Sequence, residues 1–417
     1  MAERVTIARL GAKADGIAEA DGRPVFVPYA LPGEAVTIER EGERARLVAV
    51  ETPSPEREEP FCPYFGACGG CATQHMRHGF YQGWKRANVV ETLRRARIEA
   101  PVEGLVDAHG AGRRRITLHA RFRAGTMRVG YMAARSHDVV EIAFCPIAEP
   151  GLKERAPRIA RALAERLALA RKPLDIQITA TETGFDVDLR GHGPVRERDR
   201  QDLVLLAAEL DLARLSLHGD VLVARRAPVI TMGTAAVVPP PGAFLQATRA
   251  GEAALADLVV EACSGARRVA DLFCGVGPFA LRLAARAEVH AAEADAGAIA
   301  ALDKAARGSP GLRRATGEVR DLFRRPLLVP ELDRFDAVVL DPPRAGAEAQ
   351  ARQLAVSRVP LAVAVSCDAG TFARDAAILI AAGYRLERVV PVDQFKHSPH
   401  VELVGILRRT APRNKRR

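Results

Sequence analysis

Val269-Ala270-Asp271-Leu272-Phe273-Cys274-Gly275-Val276-Gly277-Pro278-Phe279-Ala280 runs from an apolar, strand-like segment through a glycine turn into the start of a helix. Glycines in such a turn let backbone approach a nucleotide-like ligand with no Cβ in the way. Gly275-x-Gly277-x-x-Ala280 taken alone also matches a dinucleotide fingerprint. Two carboxylates shift the reading toward S-adenosylmethionine. Asp271 precedes the turn, where it can meet a methionine amino group, and Glu293 closes the next strand, where an acid receives ribose hydroxyls. Either alone reads as an ordinary strand-end acid; the pair does not.

Outward from there, the chain beyond about residue 242 alternates strands and helices in the rhythm of a doubly wound parallel sheet. Strands are expected over Arg268 to Phe273, Val289 to Glu293, Phe335 to Leu340, Leu361 to Ser366, Arg385 to Val392 and Val401 to Leu407. Asp341-Pro342-Pro343-Arg344 follows the third, the form seen where nucleic-acid methyltransferases hold a base near a methyl donor. Ser366-Cys367-Asp368 ends the fourth, followed by a turn to Thr371 and a helix from Phe372 to Ala382. A lone strand-end cysteine is ordinarily a packing residue. This one stands at the ligand-binding end of the sheet, between Asp341 and a carboxylate, Glu402, on the last strand. Cys274, at the cofactor turn, reads as packing.

Toward the amino terminus, Val5 to Leu10, Val25 to Val27 and Ala35 to Ile38 are short alternating runs separated by Asp15-Gly16, Asp21-Gly22 and Pro32-Gly33. Residues 1–55 are therefore expected to form a small β-barrel, with a charged, proline-rich linker after it. Cys62, Cys68 and Cys71 follow at C-x5-C-x2-C spacing with Gly69-Gly70 in the turn, a set that needs a fourth soft ligand. Cys145 is the candidate, because Cys263 and Cys274 fall in the other domain; ligand type leaves zinc and iron–sulfur both open. A helix is expected over 80–97, packing on the catalytic domain, and another from Arg155 to Leu169. Strands are expected over Ile116 to Ala120 and Leu174 to Thr179. Arg113-Arg114-Arg115 reads either as a phosphate contact or as a solvated face. The assignment is 1–55 barrel, 56–240 mixed α+β central domain, 241–410 methyltransferase domain and 411–417 basic tail.

At 417 residues the chain exceeds one ordinary core. Lys and Arg number 61 against 51 Asp and Glu, and the net charge of +10 suits a polyanionic partner. No signal-peptide core or membrane-length apolar run is found, so a cytoplasmic, reducing setting is expected, where seven cysteines point to metal or catalysis rather than disulfides. A monomer is the default.

Over nearly its whole length the sequence resembles the RNA 5-methyluridine methyltransferases, and within them the iron–sulfur members acting on bacterial 23S rRNA. Phe26-Val27-Pro28 through Leu31-Pro32-Gly33-Glu34 is similar to that family's TRAM barrel, an OB-like module. Cys62, Cys68, Cys71 and Cys145, with Gln74-His75, match the set that binds a [4Fe-4S] cluster in relatives. Phe244-Leu245-Gln246 matches a segment whose glutamine contacts the cofactor there. Ser366-Cys367-Asp368 and His400-Val401-Glu402 complete the likeness. Pro278 departs from the Asn or Thr of many relatives, which a helix start tolerates.

The resemblance implies methylation of uracil carbon 5, with S-adenosylmethionine and a [4Fe-4S] cluster as cofactors and RNA, 23S rRNA or its precursor, as partner. Carbon 5 is a poor nucleophile until a thiolate, Cys367, adds to carbon 6. Glu402 is the expected base for the carbon 5 proton, Asp341 positions the uracil or cofactor, and Arg344 lies near the substrate. Gln246, Asp271, Gly275, Gly277, Glu293 and Asp341 are the expected cofactor set. A tRNA-directed enzyme and a non-catalytic RNA-binding assembly factor are the alternatives.

Overall fold

The structure is a computed structural model that describes residues 2–123, 125–167 and 171–409. Strands Ala2–Leu10, Asp15–Ala20, Arg23–Pro28, Ala35–Glu41 and Arg44–Thr52 close into a barrel. Its alternating side chains fill the interior with Ile7, Val25, Val27, Val36 and Ile38, all but fully buried. Closure removes the sheet edges that a small open sheet would expose.

A seven-stranded, mostly antiparallel sheet forms the centre, built on Arg115–Arg123 and Leu174–Thr181. Helix Arg155–Arg166 covers it with Ile159, Ala160 and Leu163. The last two residues of the span expected from its apolar spacing, 168–169, and the basic tail from 410 lie outside the described residues.

The catalytic sheet has eight strands in the order Ala315–Val319, Glu288–Glu293, Arg268–Leu272, Ala337–Leu340, Leu361–Ser366, Glu402–Arg409, Tyr384–Asp393, Val106–Asp107. The first five are parallel, and the two central ones, Ala337–Leu340 and Leu361–Ser366, are nearly continuously apolar, as strands covered on both faces must be. The parallel rhythm expected of this domain gives way at the other side. Glu402–Arg409 inserts antiparallel between Leu361–Ser366 and Tyr384–Asp393. The physical reason is the short link from 394 to 401, too short for a parallel crossover. The edge strand Val106–Asp107 comes from upstream of the central sheet.

Helix His78–Arg95 packs Val89 and Leu93 into the same core as Leu340, Ala373 and Leu403. Each such aliphatic side chain contributes about 1.5–3 kcal/mol when fully buried. The turn expected at 368–371 is absent. Asp368 caps helix Ala369–Ala381 directly, its carboxylate accepting the Thr371 amide at 2.9 Å.

Candidate active site

Between Arg268–Leu272 and Ala337–Leu340 the chain's direction of winding reverses, leaving a crevice at the strands' carboxyl ends. A cavity of about 530 Å3 opens there, and Gln246, Gly275, Glu293, Asp341, Cys367 and Glu402 all line it. Residues separated by up to 156 positions thus meet because four strands end at one rim. The register explains the closest pairing. Ser366 is opposite Leu403, so one step further sets Cys367 beside Glu402 on the neighbouring antiparallel strand.

The glycine turn does two different things. Gly275 has φ +52° and open space where a Cβ would be, and its amide donates to Glu293 Oε2 at 3.1 Å. Gly277 does not line the cavity. A Cβ there would lie 2.7 Å from Leu302 Cδ1, so its smallness serves helix packing beneath the turn. Phe273 holds φ +63°, a conformation costly for an aromatic residue and concentrated at functional sites.

Asp271 lies under the turn, fully buried and outside the cavity lining. Neither carboxylate oxygen has a hydrogen-bond partner; the Ala280 amide comes near without reaching bonding geometry. Burial, with the Asp341 charge beside it, drives this carboxyl well above the usual range. Asp341 is pushed up to about 7 by burial and by Glu293. Glu402 reaches about 8 through burial and the Asp341 charge, partly offset by a Gln394 hydrogen bond and by Arg344. Burial first, then Glu402, moves the Cys367 thiol up to about 11, and Arg344 acts in the opposite direction. Crowded, desolvated carboxyls at a cavity wall are an arrangement that a bound cation would relieve. Arg344 Nη2 stands 3.3 Å from His400 Nε2 at the rim.

Gln394 was not singled out from the sequence, although a glutamine closing an apolar strand is a usable signal. It is fully buried and joins three site segments. Its Oε1 accepts the Ala247 amide at 2.7 Å, and its Nε2 donates to Gln246 Oε1 at 2.6 Å and Glu402 Oε1 at 3.2 Å. Gln246 Nε2 continues the chain to Asp341 Oδ2 at 3.2 Å.

The arginine run is neither a phosphate contact nor a solvated face at its centre. Arg114 is buried and pairs with Glu252 at 2.5 Å, and its Nε donates to Gln246 O. Arg115 bonds Ala243 O and lies under the exposed Phe244 ring at the cavity mouth.

Cys62, Cys68, Cys71 and Cys145 come together around a second cavity of about 40 Å3, joined by Gln74 and Tyr131. All seven cysteines are free. Burial raises the thiols of Cys68, Cys71 and Cys145, Cys71 to about 12, and neighbouring sulfurs add to the shifts of Cys68 and Cys71. Among the described residues, however, no three His, Cys, Asp or Glu close on the geometry of a single metal ion. The donors are soft and convergent, and Arg113 on the cavity wall favours their thiolate forms, which fits a thiolate-bound group. They are not drawn in around one ion.

Two family models match the chain: TRAM domain over residues 2–39 and tRNA (Uracil-5-)-methyltransferase over 240–410. An uncharacterized RNA methyltransferase of Mesorhizobium japonicum is 45% identical over 416 residues, covering 100% of both chains. The 23S rRNA (uracil(1939)-C(5))-methyltransferase RlmD of Chromohalobacter salexigens is 34% identical, over 99% of this chain and 91% of its own. The crystal structure of Pyrococcus abyssi tRNA (uracil-54, C5)-methyltransferase in complex with S-adenosyl-L-homocysteine shares the fold. It superposes at a TM-score of 0.75 with 23% identity, over 97% of this chain and 99% of that one. The chain therefore belongs to the RNA (uracil-5-)-methyltransferase family, and it is an S-adenosylmethionine-dependent RNA methyltransferase with an amino-terminal TRAM barrel.

Proposed function

We propose that the chain methylates carbon 5 of a uridine in 23S rRNA or its precursor through a covalent adduct with Cys367. The observation that carries this reading is the pairing of Cys367 with Glu402 across adjacent antiparallel strands, at the rim of the cavity lined by Gly275 and Glu293. The 34% likeness to the 23S rRNA enzyme supports the substrate.

The Cys367 thiolate adds to carbon 6, and the ring electrons move to carbon 5. Carbon 5 attacks the methyl group in line, and S-adenosylhomocysteine leaves. Glu402 then takes the carbon 5 proton; the C–H electron pair forms the carbon 5–carbon 6 double bond and the thiolate departs. Arg344, the cation that opposes the rise of the Cys367 thiol, favours the thiolate. Asp341 positions the reactants. Gln246, Glu293 and the 275–277 turn hold the cofactor, Glu293 toward the ribose, and Asp271 lies beneath that turn on the amino-group side, acting on the cofactor through its charge rather than by contact.

Cys62, Cys68, Cys71 and Cys145 would hold a [4Fe-4S] cluster, which when bound would cross-link segment 62–71 to the central sheet. The domain boundaries 55, 240 and 410, a cytoplasmic location and a monomer complete the reading. Among the described residues no helix is long and apolar enough to cross a membrane.

The test mixes anaerobically purified protein with S-adenosylmethionine and 5-fluorouridine transcripts of 23S rRNA and, separately, tRNA. Fluorine at carbon 5 blocks proton removal, so the adduct should persist on denaturing gels with 23S rRNA and vanish in Cys367→Ala. An adduct with tRNA alone overturns the substrate. Tight RNA binding without any adduct overturns the mechanism in favour of an assembly factor.

A further inference from the structure

We infer that Gln394 is the positioning residue that aims Glu402 and keeps its carboxylate a proton acceptor during release of the methylated product. The inference rests on the proposal that Glu402 is the base.

The direction of the buried amide chain follows from one backbone group. The Ala247 N–H can only donate, so the Gln394 atom it meets must be the carbonyl oxygen. Its nitrogen therefore faces Gln246 and Glu402 and donates to both. Gln246 thereby offers its own carbonyl to Gln394 and its nitrogen to Asp341. Both carboxylates receive an amide N–H, the partner that favours the ionised form. A flipped Gln394 would set its oxygen against the Gln246 oxygen and lose the Ala247 bond, so the orientation is fixed.

Gln394 is itself immobilised through its neighbours. Asp393 accepts from Lys85 Nζ and Tyr81 Oη, both at 2.6 Å, and Lys85 also donates to His400 O at 2.6 Å. The loop that returns from Gln394 to Glu402 is thus tied to helix His78–Arg95 at both ends. The network also touches Gln246 and Asp341 on the cofactor side, so single turnovers are run at saturating S-adenosylmethionine, where a weakened cofactor site no longer limits methyl transfer and the remaining loss should fall on proton removal.

Two variants separate the roles. Gln394→Glu keeps the shape and the bond from Ala247, but places an oxygen against Glu402 and Gln246. Gln394→Leu removes the donor altogether. With 5-tritiated uridine RNA and methyl-labelled S-adenosylmethionine, single turnovers read methyl transfer and tritium release separately. Tritium release is expected to slow about 10- to 100-fold in both variants, within the range of a positioned base. Methyl transfer should change less than about threefold, so a methylated, denaturant-stable protein–RNA adduct should accumulate.

Equal slowing of both steps, or tritium release at the wild-type rate, overturns the inference. Glu402→Gln is run alongside. If it accumulates no methylated adduct, the base assignment itself fails; if it does while the Gln394 variants do not, only the role of Gln394 fails. Thermal melts and S-adenosylmethionine binding identify a variant that has lost its fold, and the other then decides.

Discussion

Glu402 sits in the field of Asp341, and Asp341 in that of Glu293, at the wall of one cavity, and this makes cofactor binding a proton-linked event. The Asp341 and Glu402 carboxyls stand near 7 and 8, and burial raises Asp271 beneath the turn well above the usual carboxylate range. A carboxyl with a raised pKa carries its proton below that value. A sulfonium or ammonium arriving nearby stabilises the anion and expels the proton, so affinity should rise with pH and level off once the groups are already ionised. S-adenosylmethionine should bind more tightly between pH 6 and 8, by at most about tenfold per pH unit for each proton released. Titration calorimetry in buffers of different ionisation enthalpy checks this. S-adenosylhomocysteine, which lacks the sulfonium charge, should release fewer protons. Identical, pH-independent binding of the two would sink the idea. Asp341, Cys367 and Glu402 were legible as residues because their types suit the chemistry. Gln394 was not, since a glutamine's importance lies in what it is bonded to.

The loop between Tyr384–Asp393 and Glu402–Arg409 depends on an element far away in sequence. Helix His78–Arg95 sends Lys85, fully buried, to Asp393, Phe395 O and His400 O. On the other side the Ala72 amide donates to His397 O at 2.7 Å, linking the cysteine segment to the same loop. Removing the cation strands a buried carboxylate, a loss of about 3–5 kcal/mol. Lys85→Met should therefore lower the stability measured by denaturant unfolding by that amount. The double variant Lys85→Met/Asp393→Leu should recover much of it, because no charge is then left unpaired. Equal stability of Lys85→Met and wild type would show that the pair does not hold the loop. The helix itself was readable from the spacing of Trp84, Val89 and Leu93. That a lysine on it faces inward was not, because lysine is almost always found with its charge in water.

Across the whole molecule, the central sheet and the catalytic domain meet through the buried Arg114 and Glu252 and the half-buried Arg282, with contacts of 2.5 and 2.9 Å. Arg114 also holds the Gln246 segment through its side chain and its amide, which donates to Ala247 O. Arg114→Met should raise the dissociation constant for S-adenosylmethionine about tenfold, some 1.4 kcal/mol, and increase protease cleavage near 240–248. An unchanged constant would remove Arg114 from cofactor binding. The sequence by itself determined the barrel, the strand–turn–helix rhythm and the candidate groups, Asp341, Cys367 and Glu402, that one cavity brings together. Those follow from local periodicity, turn chemistry and residue type, which any stretch of chain carries with it. Only the tertiary structure decided that the last strand runs antiparallel beside Leu361–Ser366, bringing Glu402 to Cys367. It also decided that Gln394 links Gln246 to Glu402 and that Arg114 and Lys85 are buried. Such pairings join residues up to more than 300 positions apart, and no local pattern encodes which distant partner a strand or a charge will find.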